Sequence, residues 1–113
     1  MEPTDMMQIL YMADIFKLLG DKTRLTIMAL LYVQSMCVRD LVEILQASQP
    51  SVSQHLAKLR SHGLVKETRK GAWVFYSINA ESTPVVAQIL QQLPTFKQYV
   101  ERLREQTVSV VAN

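Results

Sequence analysis

Residues 48–65, SQPSVSQHLAKLRSHGLV, read as one helix closed by a glycine. Val52, Leu56 and Leu59 recur at i, i+4 and i+7 and form a single apolar stripe. The opposite side carries Pro50, Ser53, Gln54, Ala57 and Ser61, short or flat side chains, some able to donate and accept hydrogen bonds. Ser48 is a natural N-cap, and Pro50 falls in the first turn, where a missing N–H leaves no helical partner unpaired. Gly63 suits the left-handed residue that ends a helix. A slim polar face on a short, well-capped helix is a shape that enters a DNA major groove and reads base edges.

Upstream of this helix, Val38–Gln46 reads as a short helix with Leu41, Ile44 and Leu45 inward and Arg39, Asp40 and Glu43 outward. Ala47-Ser48 makes the tight turn, and the pair is a helix-turn-helix. Ser35–Cys37 reads as a break after a helix over Thr23–Val33, which Asp21 caps. The first helix spans Met6–Leu19, with Ile9, Met12, Ala13, Phe16 and Leu19 on one stripe and Leu10, Tyr11 and Ile15 off it. A terminal helix that is apolar on several sides is expected to pack against a second copy of the chain.

Downstream, the period changes from 3.6 to 2. Leu64–Arg69 and Ala72–Ile78 read as two strands joined by a tight Lys70-Gly71 turn, a basic hairpin or wing whose tip carries Arg69 and Lys70. Trp73 and Tyr76 are expected to pack in the core or across strands. Thr83-Pro84 opens a fifth helix with Val86, Ile89, Leu90 and Leu93 as its stripe. Pro94 ends or kinks it, and Phe96, Tyr99 or Val100, Leu103 and Thr107 continue an apolar spacing suited to a partner helix, before a frayed tail over 108–113.

Lys58, Arg60, Lys66, Arg69 and Lys70 hold five of the twelve basic side chains, opposed locally by Glu67, although the net charge is only +2. A local basic field beside a slim polar helix suits phosphate contact. The longest apolar run, Ile27–Val33, is too short for a membrane span. The acidic start, MEPTDMMQ, does not read as a signal peptide. One cysteine fits a reducing cytoplasm. An enzyme would need a convergent acid, base or nucleophile set; Cys37 and His55 are the one conceivable pair, with no third group to orient them.

The chain resembles the ArsR/SmtB family of bacterial winged-helix repressors over about residues 6–103. The resemblance rests on Asp14–Leu25 (DIFKLLGDKTRL, with Lys22 where a proline is usual), Cys37–Leu41, Ser48–Leu56 with Leu59-Arg60 and Gly63–Val65, and Arg69–Tyr76. It implies a homodimer that binds an inverted repeat in double-stranded DNA, represses transcription and is released by an inducer. By position it implies DNA contacts from Gln49, Ser51, Ser53 and Gln54, to which Lys58, Arg69 and Lys70 add basic groups. The expected fold is mainly α with a two-stranded β-hairpin. It is a single winged helix-turn-helix domain over 1–113, with recognition helix about 49–62, wing about 64–78, and dimerisation helices about 6–19 and 84–106.

The sequence departs from the family's metal sensors. A thiolate site on the third helix needs at least two cysteines, and Arg39 stands where the second would be. A fifth-helix site needs histidines with carboxylates, yet no histidine follows His62, and Glu81, Glu101 and Glu105 alone are poor ligands for a borderline-soft metal. His55 and His62 are expected to pack, cap or face DNA. No metal or other cofactor is therefore expected, and the inducer stays unidentified. Cys37 has two readings. A helix N-terminus and Arg39 would lower its pKa and make it a redox or electrophile sensor, or it is a half-buried cysteine with no sensing role. A winged helix can also serve as a protein-interaction module; that alternative predicts a neutral or apolar outer helix face.

Overall fold

The computed structural model describes residues 1–79, 81 and 84–103. The elements run α1 (Pro3–Leu19), α2 (Lys22–Val33), β1 (Met36–Cys37), α3 (Val38–Leu45), α4 (Gln49–Ser61), β2 (Val65–Lys70), β3 (Trp73–Ile78) and α5 (Pro84–Gln91). The Thr83 cap, the helix beyond 103 and the 108–113 tail fall outside the described residues.

The starts of α2 and α4 have visible causes. The Asp21 carboxylate accepts the Arg24 backbone N–H at 3.0 Å, and that bond holds its carboxyl below the ordinary 3.8. Ser48 Oγ accepts the Ser51 N–H at 3.3 Å, with Pro50 in the first turn of α4. Between α3 and α4, Gln46 adopts φ 54° and ends α3 in the left-handed conformation, one residue earlier than the sequence pattern implied. Its side-chain amide donates to the Glu43 carbonyl at 2.7 Å. Gly63, at φ 77°, turns the chain out of α4 into the wing.

The core lies where α2, α3 and α4 meet the sheet. Ile27, Leu30, Met36, Leu41, Leu56 and Leu59 are all fully buried there. The sheet has three antiparallel strands in the order β1-β3-β2, which corrects the expectation of a bare two-stranded hairpin and of a break at Ser35–Cys37. Met36 pairs with Tyr76 and Cys37 with Phe75. Two residues are too few to show a period, but their pairing satisfies the edge of β3 that a hairpin alone would leave open.

The wing turn is Gly71-Ala72, between the paired Lys70 and Trp73. Gly71 takes φ 63° and Ala72 does not go positive, as a type II′ turn requires. Pro94 interrupts the last helical segment, and helix resumes over residues 97–103, where Val100 is buried.

Within the single chain α1 buries only its C-terminal half. Ile15, Leu18 and Leu19 are buried, whereas Ile9 and Phe16 of the expected stripe are exposed. Residues 1–10 are exposed throughout, so the first half of α1 projects from the domain.

Candidate nucleic-acid interface

α4 divides cleanly. Val52, Leu56 and Leu59 are fully buried, and Gln49, Pro50, Ser53, Gln54, Ala57, Lys58 and Ser61 are exposed. Exposed polar groups at 3.6-residue spacing, with no bulky side chain among Ser53, Gln54 and Ala57, form a ridge able to approach base edges closely. Ser51 is half-buried on the flank of this ridge, with its backbone N–H engaged by the cap.

The inner flank of α4 is held by a contact that sequence reasoning missed. Arg24 donates from Nε to the Leu18 carbonyl at 2.7 Å and from Nη1 to His55 Nδ1 at 3.2 Å. A guanidinium only donates, so Nδ1 is the acceptor and the neutral ring carries its proton on Nε2. One side chain thus ties the end of α1 and the start of α2 to the recognition helix. Nothing local in the sequence points from Arg24 to a residue thirty-one positions away. His62 lies at the helix end, where Nδ1 is 3.0 Å from the Lys58 carbonyl, a capping contact.

The basic cluster is less uniform than its composition. Arg60 is paired with Glu67 across the α4–β2 junction. Among the described residues, Lys58, Lys66, Arg69 and Lys70 have no acidic partner within salt-bridge distance. Of β2 only Val65 is buried; β3 stays half-buried between β2 and β1 up to Phe75, so the part of the hairpin that projects is its tip. Arg69 pairs with Val74 and Lys70 with Trp73; alternation along the strand therefore sends the two cations to opposite faces of the arm. Lys70 Nζ stands 5.9 Å from the Phe75 ring centroid, a cation–π contact that orients it. Trp73 is exposed, contrary to the packing expected of it, whereas Tyr76 is half-buried against the core.

Cys37 is the N-cap of α3 and only 8% exposed. Burial pushes its thiol pKa up from 9.0, the reverse of the lowering expected from the helix and Arg39; contact with the Asp40 side chain adds to the rise. The thiolate is scarce at neutral pH, and thiolate is the reactive form. Native protein should therefore react with iodoacetamide at pH 7.5 more slowly than free cysteine, by roughly tenfold or more, and at the free rate once unfolded. Equal rates in the folded and unfolded chain would return Cys37 to the sensor reading. Among the described residues, no three His, Cys, Asp or Glu side chains converge as a metal site. No helix there is long and apolar enough to cross a membrane.

A short helix, a tight turn, a helix with a polar outer ridge and a cationic β arm together define a winged helix-turn-helix DNA-binding regulator. Residues 21–67 match the family model described as "Bacterial regulatory protein, arsR family". The chain is 42% identical over 79 residues to the arsenic resistance transcriptional regulator ArsR2 of Pseudomonas putida, covering 69% of each chain. It is 39% identical over 87 residues to the arsenical resistance operon repressor of Escherichia coli K12, covering 76% of this chain and 74% of that one. Reduced HlyU from Vibrio cholerae superposes with a TM-score of 0.69 at 28% identity, over 80% of this chain and 92% of the other. The chain belongs to the arsR family, a family of transcriptional regulators, and is a DNA-binding transcriptional repressor.

Proposed function

We propose that two copies of the chain, acting in the cytoplasm, bind an inverted-repeat operator, each placing α4 in a major groove and its wing against the flanking backbone. The observation that carries this reading is the outer ridge of α4, polar and unencumbered over a fully buried stripe. That ridge also speaks against a protein-interaction module, which would present a neutral or apolar face. Gln49, Ser53 and Gln54 face the bases, Ser51 and Lys58 flank them, and Arg69 and Lys70 take phosphates. Two such helices related by a twofold axis enter grooves about one helical turn apart.

Release by an inducer needs only a change in the angle between the two helices, worth roughly 1–3 kcal/mol of coupling. The inducer acts without either of the family's usual metal sites, and Cys37 serves as a packed helix cap. The reading is tested by fluorescence anisotropy on DNA from upstream of the coding region against a random duplex, across a salt series. Tight, selective, salt-dependent binding is expected; equal binding to both duplexes would overturn it.

The two kinds of contact separate by mutation. Gln54→Ala should relax discrimination at one base pair, by roughly 1–3 kcal/mol, and leave random-duplex binding near wild type. Equal losses on both duplexes would remove Gln54 from base readout. Arg69→Ala should weaken binding on every sequence and flatten the plot of log affinity against log salt by about one unit. An unchanged slope would show that Arg69 touches no phosphate.

A further inference from the structure

Trp73, the chain's one tryptophan, opens β3 directly opposite Lys70 across the wing turn. It is 53% exposed, while Val74–Ile78 behind it are each half-buried. Register places Trp73, Lys70, Phe75 and Thr68 on one face of the arm, with Arg69 on the other. β1 holds β3 at Phe75 and Tyr76, so the hairpin runs free of the third strand only beyond Phe75, and Trp73 lies in that free tip. The wing tip is therefore an aromatic plate beside an ammonium, with a guanidinium on the reverse side.

An indole has two flat apolar faces and one N–H donor. Once Arg69 and Lys70 seat on phosphates, the surface next to them is the deoxyribose wall of the minor groove, apolar on its C–H flank and lined with oxygen acceptors. We infer that Trp73 packs its indole against that sugar wall when the wing docks, as an apolar and sequence-independent DNA contact. The inference rests on the DNA-binding reading above. Sugars are the same in every sequence, and an uncharged contact displaces no counterions, so Trp73 adds affinity without discrimination and without steepening the salt dependence.

The test uses the full chain and its single tryptophan, excited at a wavelength that tyrosine does not absorb. Tryptophan emission should shift to the blue or be quenched on both upstream and random duplexes, in parallel with the anisotropy of labelled DNA. Trp73→Thr, which keeps a strand-forming residue at an exposed position, should weaken binding to both duplexes by roughly tenfold with the salt slope unchanged. Trp73→Phe should recover most of that loss. Selective anisotropy with unmoved emission and wild-type affinity for Trp73→Thr overturns the indole's role and leaves the repressor reading standing. A flattened salt slope in Trp73→Thr also overturns it, because the loss would then run through Lys70. Absence of any DNA binding overturns both readings.

Discussion

Phe16→Glu is expected to yield a folded chain that no longer pairs with a second copy and binds its operator roughly 100-fold or more weakly. Phe16 is 56% exposed and belongs to no part of the buried core, so the substitution leaves no cavity. It shares a helix face with Met12 and Ile9, one and two turns earlier, and Met6, Met7 and Leu10 are exposed on the same projecting helix. A helical half with no packing of its own is marginal in water, because helical stability comes mainly from burying one face. In the proposed dimer a second α1 laid against this one would supply that burial, and a carboxylate at its centre would have to be desolvated without a partner. Losing the pair converts a bivalent contact into a monovalent one, and linked sites gain roughly 10²–10⁴ in affinity. Sedimentation, far-UV circular dichroism and operator anisotropy read the three consequences separately. A Phe16→Glu protein that stays dimeric and binds like wild type would move the dimer interface away from this face of α1.

The same helix shows where sequence periodicity stops being informative. α1 carries apolar residues on several sides, so the pattern Ile9, Met12, Phe16, Leu19 is as regular as the one the fold buries through Ile15, Leu18 and Leu19. A face reserved for another copy has the same composition as a face reserved for the core. In α4 one side is apolar and the other is polar, and there the sequence was enough to assign the buried stripe, the cap and the stop. The wing was legible for a similar reason, since its switch to period 2 follows a glycine that must end the helix. Contacts between distant positions were not legible. Arg24 to His55 and Met36 to Tyr76 each depend on where the chain returns, and no local spacing encodes that. Cys37 illustrates the consequence: its place near the start of the third helix was readable, but the degree of burial that pushes its pKa up, against the lowering the sensor reading needs, comes from the folded surroundings.

Leu56→Ala should be the most destabilising single substitution in the recognition helix, by about 2–5 kcal/mol. Leu56 is 0% exposed at the centre of the Val52–Leu59 stripe, and with Val52 and Leu59 it seats α4 in the core. Truncation loses the transfer free energy of the removed carbons and leaves a cavity that neighbouring side chains only partly fill. A small domain has a stability of about 5–15 kcal/mol, so the change removes a large share of it. Urea unfolding should give a lower midpoint with an unchanged slope, compared at one protein concentration because dimerisation adds to stability. Gln54 lies two residues away on the opposite side of the same helix and is exposed. Gln54→Ala should move the midpoint by no more than about 0.5 kcal/mol while changing base discrimination. At low temperature, where most Leu56→Ala protein remains folded, the reverse holds: stability falls and the preference for the operator over a mismatched site persists. A Leu56→Ala midpoint within about 0.5 kcal/mol of wild type would mean that α4 is not anchored through this stripe. The division of the helix into a buried side that supports and an exposed side that reads would then fail with it.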